Sequence, residues 1–158
     1  MLFATRAEER AVLGLDTQAL QDMDRARRAF AMAGPPEMGY YDHWNEARLL
    51  GWYASVLLYL GQPTEAVKIL EQAVPATPAE LVSDKADVLG DLGAAYAEIG
   101  EPEQAVSCLK DSLWTAREAG LHDGVARVHH VRNRQLKPYS DVLAVRELDE
   151  QLATINRE

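Results

Sequence analysis

What the sequence lacks narrows its class before any motif is read. A single cysteine, Cys108, excludes an internal disulfide and any zinc site built from several cysteines. No apolar run approaches the roughly 18 residues of a membrane span. The opening residues Met1 to Glu9 carry Arg6, Glu8 and Glu9 where a secretory signal needs a greasy stretch, so the expected location is the cytoplasm. Phenylalanine occurs only twice, while alanine and leucine abound, which leans the chain towards helix. No glycine-rich phosphate loop, nucleophile elbow or His-Glu zinc motif is present, and no cofactor is implied. The chain reads as a non-enzyme.

Positive charge is also scarce where it would matter for nucleic acid. Of the net −9, residues 41–120 carry −8, from 13 acidic residues against 5 basic ones. Such a surface repels phosphate backbones, so direct nucleic-acid binding is not expected. A basic or amphipathic protein partner suits this charge. At 158 residues and 47% apolar content, the chain is long enough for one domain with a genuine core.

What is present is a repeat. Gly61-Gln62-Pro63-Thr64-Glu65-Ala66-Val67 recurs 39 positions later as Gly100-Glu101-Pro102-Glu103-Gln104-Ala105-Val106. The same offset aligns Ala144, Val145 and Leu148 with Ala105, Val106 and Leu109, and a looser copy starts at Gly14. Glycine after an apolar-periodic stretch ends one helix, and proline two residues on opens the next. Ala66 and Ala105 let paired helices approach closely, and Leu70 and Leu109 fill the seam one turn further. Gly93, mid-helix beside Leu89, Leu92 and Tyr96, needs a close helix crossing to offset its poor helix propensity.

These residues resemble the tetratricopeptide repeat, whose consensus runs Trp-x2-Leu-Gly-x2-Tyr, then Ala-x3-Phe, then Pro. The match is best in Leu89, Leu92, Gly93, Tyr96, Ala105 and Leu109. It is next best in Leu50, Tyr53, Ala54, Leu57, Ala66, Leu70 and Pro78. No tryptophan opens either unit, and the period is 39 rather than 34. The resemblance implies an all-α fold, a right-handed α-α superhelix of about four helix pairs in a single domain spanning 1–158. The pairs are expected near 2–33, 41–75, 80–119 and 122–156, joined helix to helix at 13–16, 60–63, 99–102 and 136–139. Gly34 to Gly39 is the expected internal seam, and Pro75, Pro78, Gly120 and Pro138 mark further turns. The last pair looks like a polar cap, with Arg132 where a small residue belongs. The first pair departs too, with Arg6 and Arg10 in seam positions.

By the same resemblance, a ligand lies on the concave face formed by the first helix of each pair. That places Arg48, Ser55 and Tyr59 in the second pair, Asp87, Asp91, Ala94 and Glu98 in the third, and His129 and Asn133 in the fourth. The expected groove has an acidic middle; the bland alternative is a solvated curved surface. Trp44, Trp52, Trp114, Tyr40, Tyr41, Tyr53 and Tyr96 read as core at helical spacing, and Cys108 as a buried thiol. His129 and His130 point about 100° apart on a helix and cannot share one ion, so no metal is expected. Arg127, Arg132, Arg134 and Lys137 read as a solvated basic face.

Residues Ala86 to Leu152 are similar to the C-terminal repeat regions of bacterial helix-turn-helix transcription regulators. This implies a protein- or peptide-binding sensory region of such a regulator, with a stand-alone adaptor as the alternative. A groove holding a small molecule is a third reading, and it requires a buried apolar pocket. Incomplete cover over Leu2 and Phe3 in the first pair makes a homodimer a further expectation.

Overall fold

The computed structural model describes residues 2–33 and 45–155. Those residues form eight α-helices and one short 3-10 turn, with no strand among them. The helices are α1 (Leu2–Val12), α2 (Asp16–Ala33), α3 (Glu46–Tyr59), α4 (Pro63–Ala76), α5 (Val82–Glu98), α6 (Pro102–Glu118), α7 (His122–Asn133) and α8 (Leu143–Ile155). Successive helices pack as pairs, α1 on α2, α3 on α4 and α5 on α6. The chain divides into two compact units, Met1–Thr77 and Pro78–Glu158. The seam expected at Gly34 to Gly39 lies outside the described residues, and the division falls instead at Thr77.

Glycine sets the hairpins. Gly14, Gly61, Gly100 and Gly120 all take positive φ, between 67° and 85°. At each, the glycine N–H donates to the carbonyl three residues back, and the next N–H donates five residues back. Thus Gly61 N–H reaches Leu58 O and Gln62 N–H reaches Leu57 O, while Gly100 and Glu101 repeat the pattern on Ala97 and Tyr96. This is the glycine-terminated helix cap in which two orphan carbonyls are satisfied together. Pro63 and Pro102 then open α4 and α6, where a missing N–H costs nothing.

Within the N-terminal unit, α1, α2 and α3 enclose a core of Ala4, Ala7, Ala11, Ala19, Met23 and Val56, against which Trp52 and Tyr53 pack half-buried. Ala66 and Leu70 are fully buried in α4. The C-terminal unit buries Ala105, Leu109, Val128, Leu136, Val145 and Leu148 in one cluster, with Tyr96 against it. A Cβ on Gly93 would lie 2.7 Å from Leu109 Cγ, so the close crossing expected there is present. Ser112, also buried, donates from Oγ to Ala86 O at 2.7 Å and ties α6 to the start of α5.

Several expectations need correction. Trp114 is 68% exposed on α6 rather than in the core. Trp44, Tyr40 and Tyr41 lie outside the described residues. Cys108 is half-buried, not buried. Pro75 does not break the chain into a turn; it sits inside the last turn of α4, and Thr77 closes that helix by donating from both N–H and Oγ1 to Ala73 O. The helix expected from 41 begins at Glu46, capped by Asn45 Oδ1 accepting from Arg48 N–H at 2.9 Å. Arg132 is no solvated base. It stays 13% exposed and grips Asp149 on α8 through Nε (2.5 Å) and Nη2 (2.7 Å), so an ionic fork replaces the small-residue contact of the middle hairpins.

The first hairpin has its own version. Asp22 on α2 is fully buried beneath Arg6 (Nε 2.5 Å, Nη2 2.7 Å), Arg10 (2.5 Å) and Arg25 (3.0 Å). The departure noted at Arg6 and Arg10 is therefore a buried carboxylate with three guanidinium groups around it.

Candidate protein-binding face

In the N-terminal unit the first helices of the pairs, α1 and α3, are in contact. Ser55 Oγ donates to Glu8 Oε1 at 2.7 Å, which ties α3 to α1 at mid-length. Arg48 is half-buried in the first turn of α3, and Tyr59 ends that helix at 56% exposure. One face of α3 thus presents a base, a hydroxyl engaged with Glu8, and an exposed phenol.

In the C-terminal unit, α5 and α7 are the corresponding neighbours. Arg127 on α7 makes an ion pair with Asp91 and lies 3.8 Å from Asp87 through Nε. A Cβ on Gly90 would come within 2.8 Å of Arg127 Cδ, so the side chain of Arg127 lies directly over that glycine. Two carboxylates one turn apart therefore bracket a guanidinium, and the acidic middle expected from the sequence is partly neutralised. Arg127 and Gly90 were missed: Arg127 was read as a solvated base. The signal was there, since a second mid-helix glycine, like Gly93, calls for something lying against it.

The remaining sequence-derived positions do not all join this face. Ala94 is buried in the core cluster of the unit and offers little ligand surface. Glu98 is exposed on the last residue of α5. His129 stands about 200° round α7 from Arg127. It lines a cleft of about 440 Å³ with His122, Val125, Ala116, Leu121 and Ile155, on a different side of the helix. Asn133 is exposed in the final turn, about 120° from Arg127. Among the described residues, no group of three or more His, Cys, Asp and Glu side chains could hold a metal ion, and no helix is long and apolar enough to cross a membrane.

Paired helices closed by glycine caps, tight small-residue seams, and a polar face on the first helix of each pair define a helical-repeat interaction module. The chain belongs to the tetratricopeptide repeat family, whose model matches residues 45–130, from the cap of α3 into α7. Repeats of this family mediate protein–protein interaction and form a non-catalytic module. No curated protein and no solved structure matches the chain.

Proposed function

We propose that the chain is a protein- or peptide-binding module whose ligand contacts the first helices of its pairs, and that it serves as the sensory or interaction region of a bacterial transcription regulator in the cytoplasm. The observation that carries the binding reading is the Asp87–Arg127–Asp91 cluster over Gly90. The two carboxylates stand one turn apart on α5 and can accept a basic side chain in place of Arg127. The regulator reading rests on the similarity of residues 86–152 to the repeat regions of such regulators, together with an acidic surface unsuited to binding DNA itself. A ligand then acts by favouring one arrangement of the repeats over another.

The test uses an array of Lys/Arg-containing helical and extended peptides, titrated against the wild-type chain and Asp91→Lys. Charge reversal weakens the best basic ligand about tenfold or more if the cluster receives it. Equal affinity for both chains removes the assignment. For the regulator reading, the native reading frame is sequenced upstream of Met1. A basic helical domain fused there supports it, and a stand-alone frame favours an adaptor.

A further inference from the structure

The cleft beside His129 lies apart from the Asp87–Arg127–Asp91 face and has a chemistry of its own. Part of its lining is one stripe of α7. His122, Val125, Ala126 and His129 recur at i, i+3, i+4 and i+7, which is about 10 Å of helix. This is not the packing face of α7, which buries Gly124, Val128 and Val131. From its last turn α6 contributes Ala116 and Arg117, and α8 contributes Ile155 at its end. A Cβ on Gly124 would fall 2.7 Å from Ala116 Cβ, so the end of α6 and the start of α7 cross closely beside the cleft.

The lining divides by chemistry. Ala116, Leu121, Val125, Ala126 and Ile155 are aliphatic, with no aromatic ring among them to stack on a flat ligand. The polar members are Arg117, His122 and His129, and each can donate a hydrogen bond. No acid lines the cleft, although the chain holds 25 Asp and Glu against 16 Lys and Arg.

Acids are close in sequence, but they sit on other sides of their helices. Glu118 and Asp123 each follow a lining residue by one position, about 100° round. Residues 116–129 therefore sum to zero formal charge, from two arginines and two acids. Selectivity comes from which of these groups line the cleft, and those are donors only. An occupant must bring acceptors at one end and an aliphatic body. A volume of about 440 Å³ suits a small molecule.

We propose that this cleft binds a small aliphatic carboxylate. Its chain lies along Val125, Ala126 and Ile155, and its head is taken by Arg117 at the end of α6 and His122 at the start of α7. An imidazole donates to a carboxylate in either protonation state, and the guanidinium adds a charge-assisted bond. His129, two turns on from His122, bounds the aliphatic stretch. The cleft is open to solvent, so it holds such a ligand weakly, with a Kd of about 1 mM. None of Asp87, Asp91 and Arg127 lines it, so failure here leaves the peptide-binding reading standing.

The experiment follows the backbone amides of the full isotope-labelled chain by NMR while octanoate is added to about 10 mM. Amides from Leu121 to His129, and that of Ile155, shift saturably. Acetate, which has the head alone, and octylamine, which has the opposite charge, leave them in place at the same concentration. Arg117→Gln and Ala126→Glu each weaken octanoate about fivefold or more, the first by removing a donor and the second by adding an acid. Both positions are exposed, so neither substitution disturbs the core. Absent or unsaturable shifts with octanoate overturn the proposal. So does acetate or octylamine moving the same amides as far, or octanoate binding that neither substitution weakens.

Discussion

Gly93 of α5 and Leu109 of α6 approach so closely that a single added carbon on the glycine would fall 2.7 Å from Leu109 Cγ and 3.1 Å from the backbone oxygen of Ala105. The backbone oxygen cannot rotate away. Alanine gains about 1 kcal/mol of helix propensity at this position, but overpacking of a tight core costs about 1–3 kcal/mol. Gly93→Ala is therefore expected to destabilise the C-terminal unit, by up to about 2 kcal/mol, in urea unfolding followed by circular dichroism. A stabilised variant would mean that the seam has room to spare.

The Asp22 cluster makes a pH-dependent contribution. Hydrogen bonds from Arg6 hold the Asp22 carboxyl below the usual carboxylate range; burial opposes this, and the charges of Arg10 and Arg6 with the hydrogen bond from Arg25 add to it. A folded-state pKa lower than the unfolded one, about 3.9, gives stability that is complete above that value. The contribution is lost as pH falls through the lower folded value. Asp22→Asn is expected to cost on the order of 2 kcal/mol at neutral pH, less than a fully buried pair, because the arginines stay partly exposed. Its acid-unfolding curve below about pH 4 should also be flatter than that of the wild type. Parallel curves would exclude Asp22 as the source.

Gly61 and Gly100 adopt left-handed backbone for the same reason, and nothing crowds either one. A Cβ meets no atom within 4 Å at Gly61, and only Tyr139 Oη at 3.6 Å at Gly100. Alanine at either site pays the backbone term alone, about 1–2 kcal/mol. The two substitutions should therefore cost nearly the same in thermal or denaturant unfolding, although they lie in different units. A large inequality would point to contacts the geometry does not contain.

Ser112→Ala removes the hydroxyl that donates to Ala86 O in a buried place. A loss of about 1 kcal/mol is expected, read from the shift of the denaturation midpoint, and an unchanged midpoint would mean that this hydrogen bond adds nothing.

Much of this fold was legible because glycine and proline act through the backbone itself. Gly61-x-Pro63 and Gly100-x-Pro102 specify a cap and a helix start regardless of neighbours, and Ala66 and Ala105 declared their seam by size. Residues whose role depends on a partner far along the chain were harder. Asp22 looks like any acid of a polar helix until Arg6 and Arg10 are brought across from α1. Trp114 followed a helical spacing typical of a core, yet its stripe faces outward, because Leu109, Leu113 and Ala116 already fill the inner side of α6. On the candidate face, Asp87 and Asp91 were legible from register. Arg127 was not, since its direction is set by the absence of a side chain at Gly90. His129, carried over by the same register, lies on a different side of α7 from Arg127, beside His122 and Val125.

The tie from Ser112 to Ala86 lies more than one turn inside the end of the α5–α6 hairpin that is remote from its glycine turn. Between that bond and the turn the two helices are joined at two places, by a covalent loop and by a hydroxyl. Over that stretch the opening of one helix is coupled to the other. Their amide protons should accordingly trade with solvent deuterium as one cooperative block, rather than turn by turn from the tips.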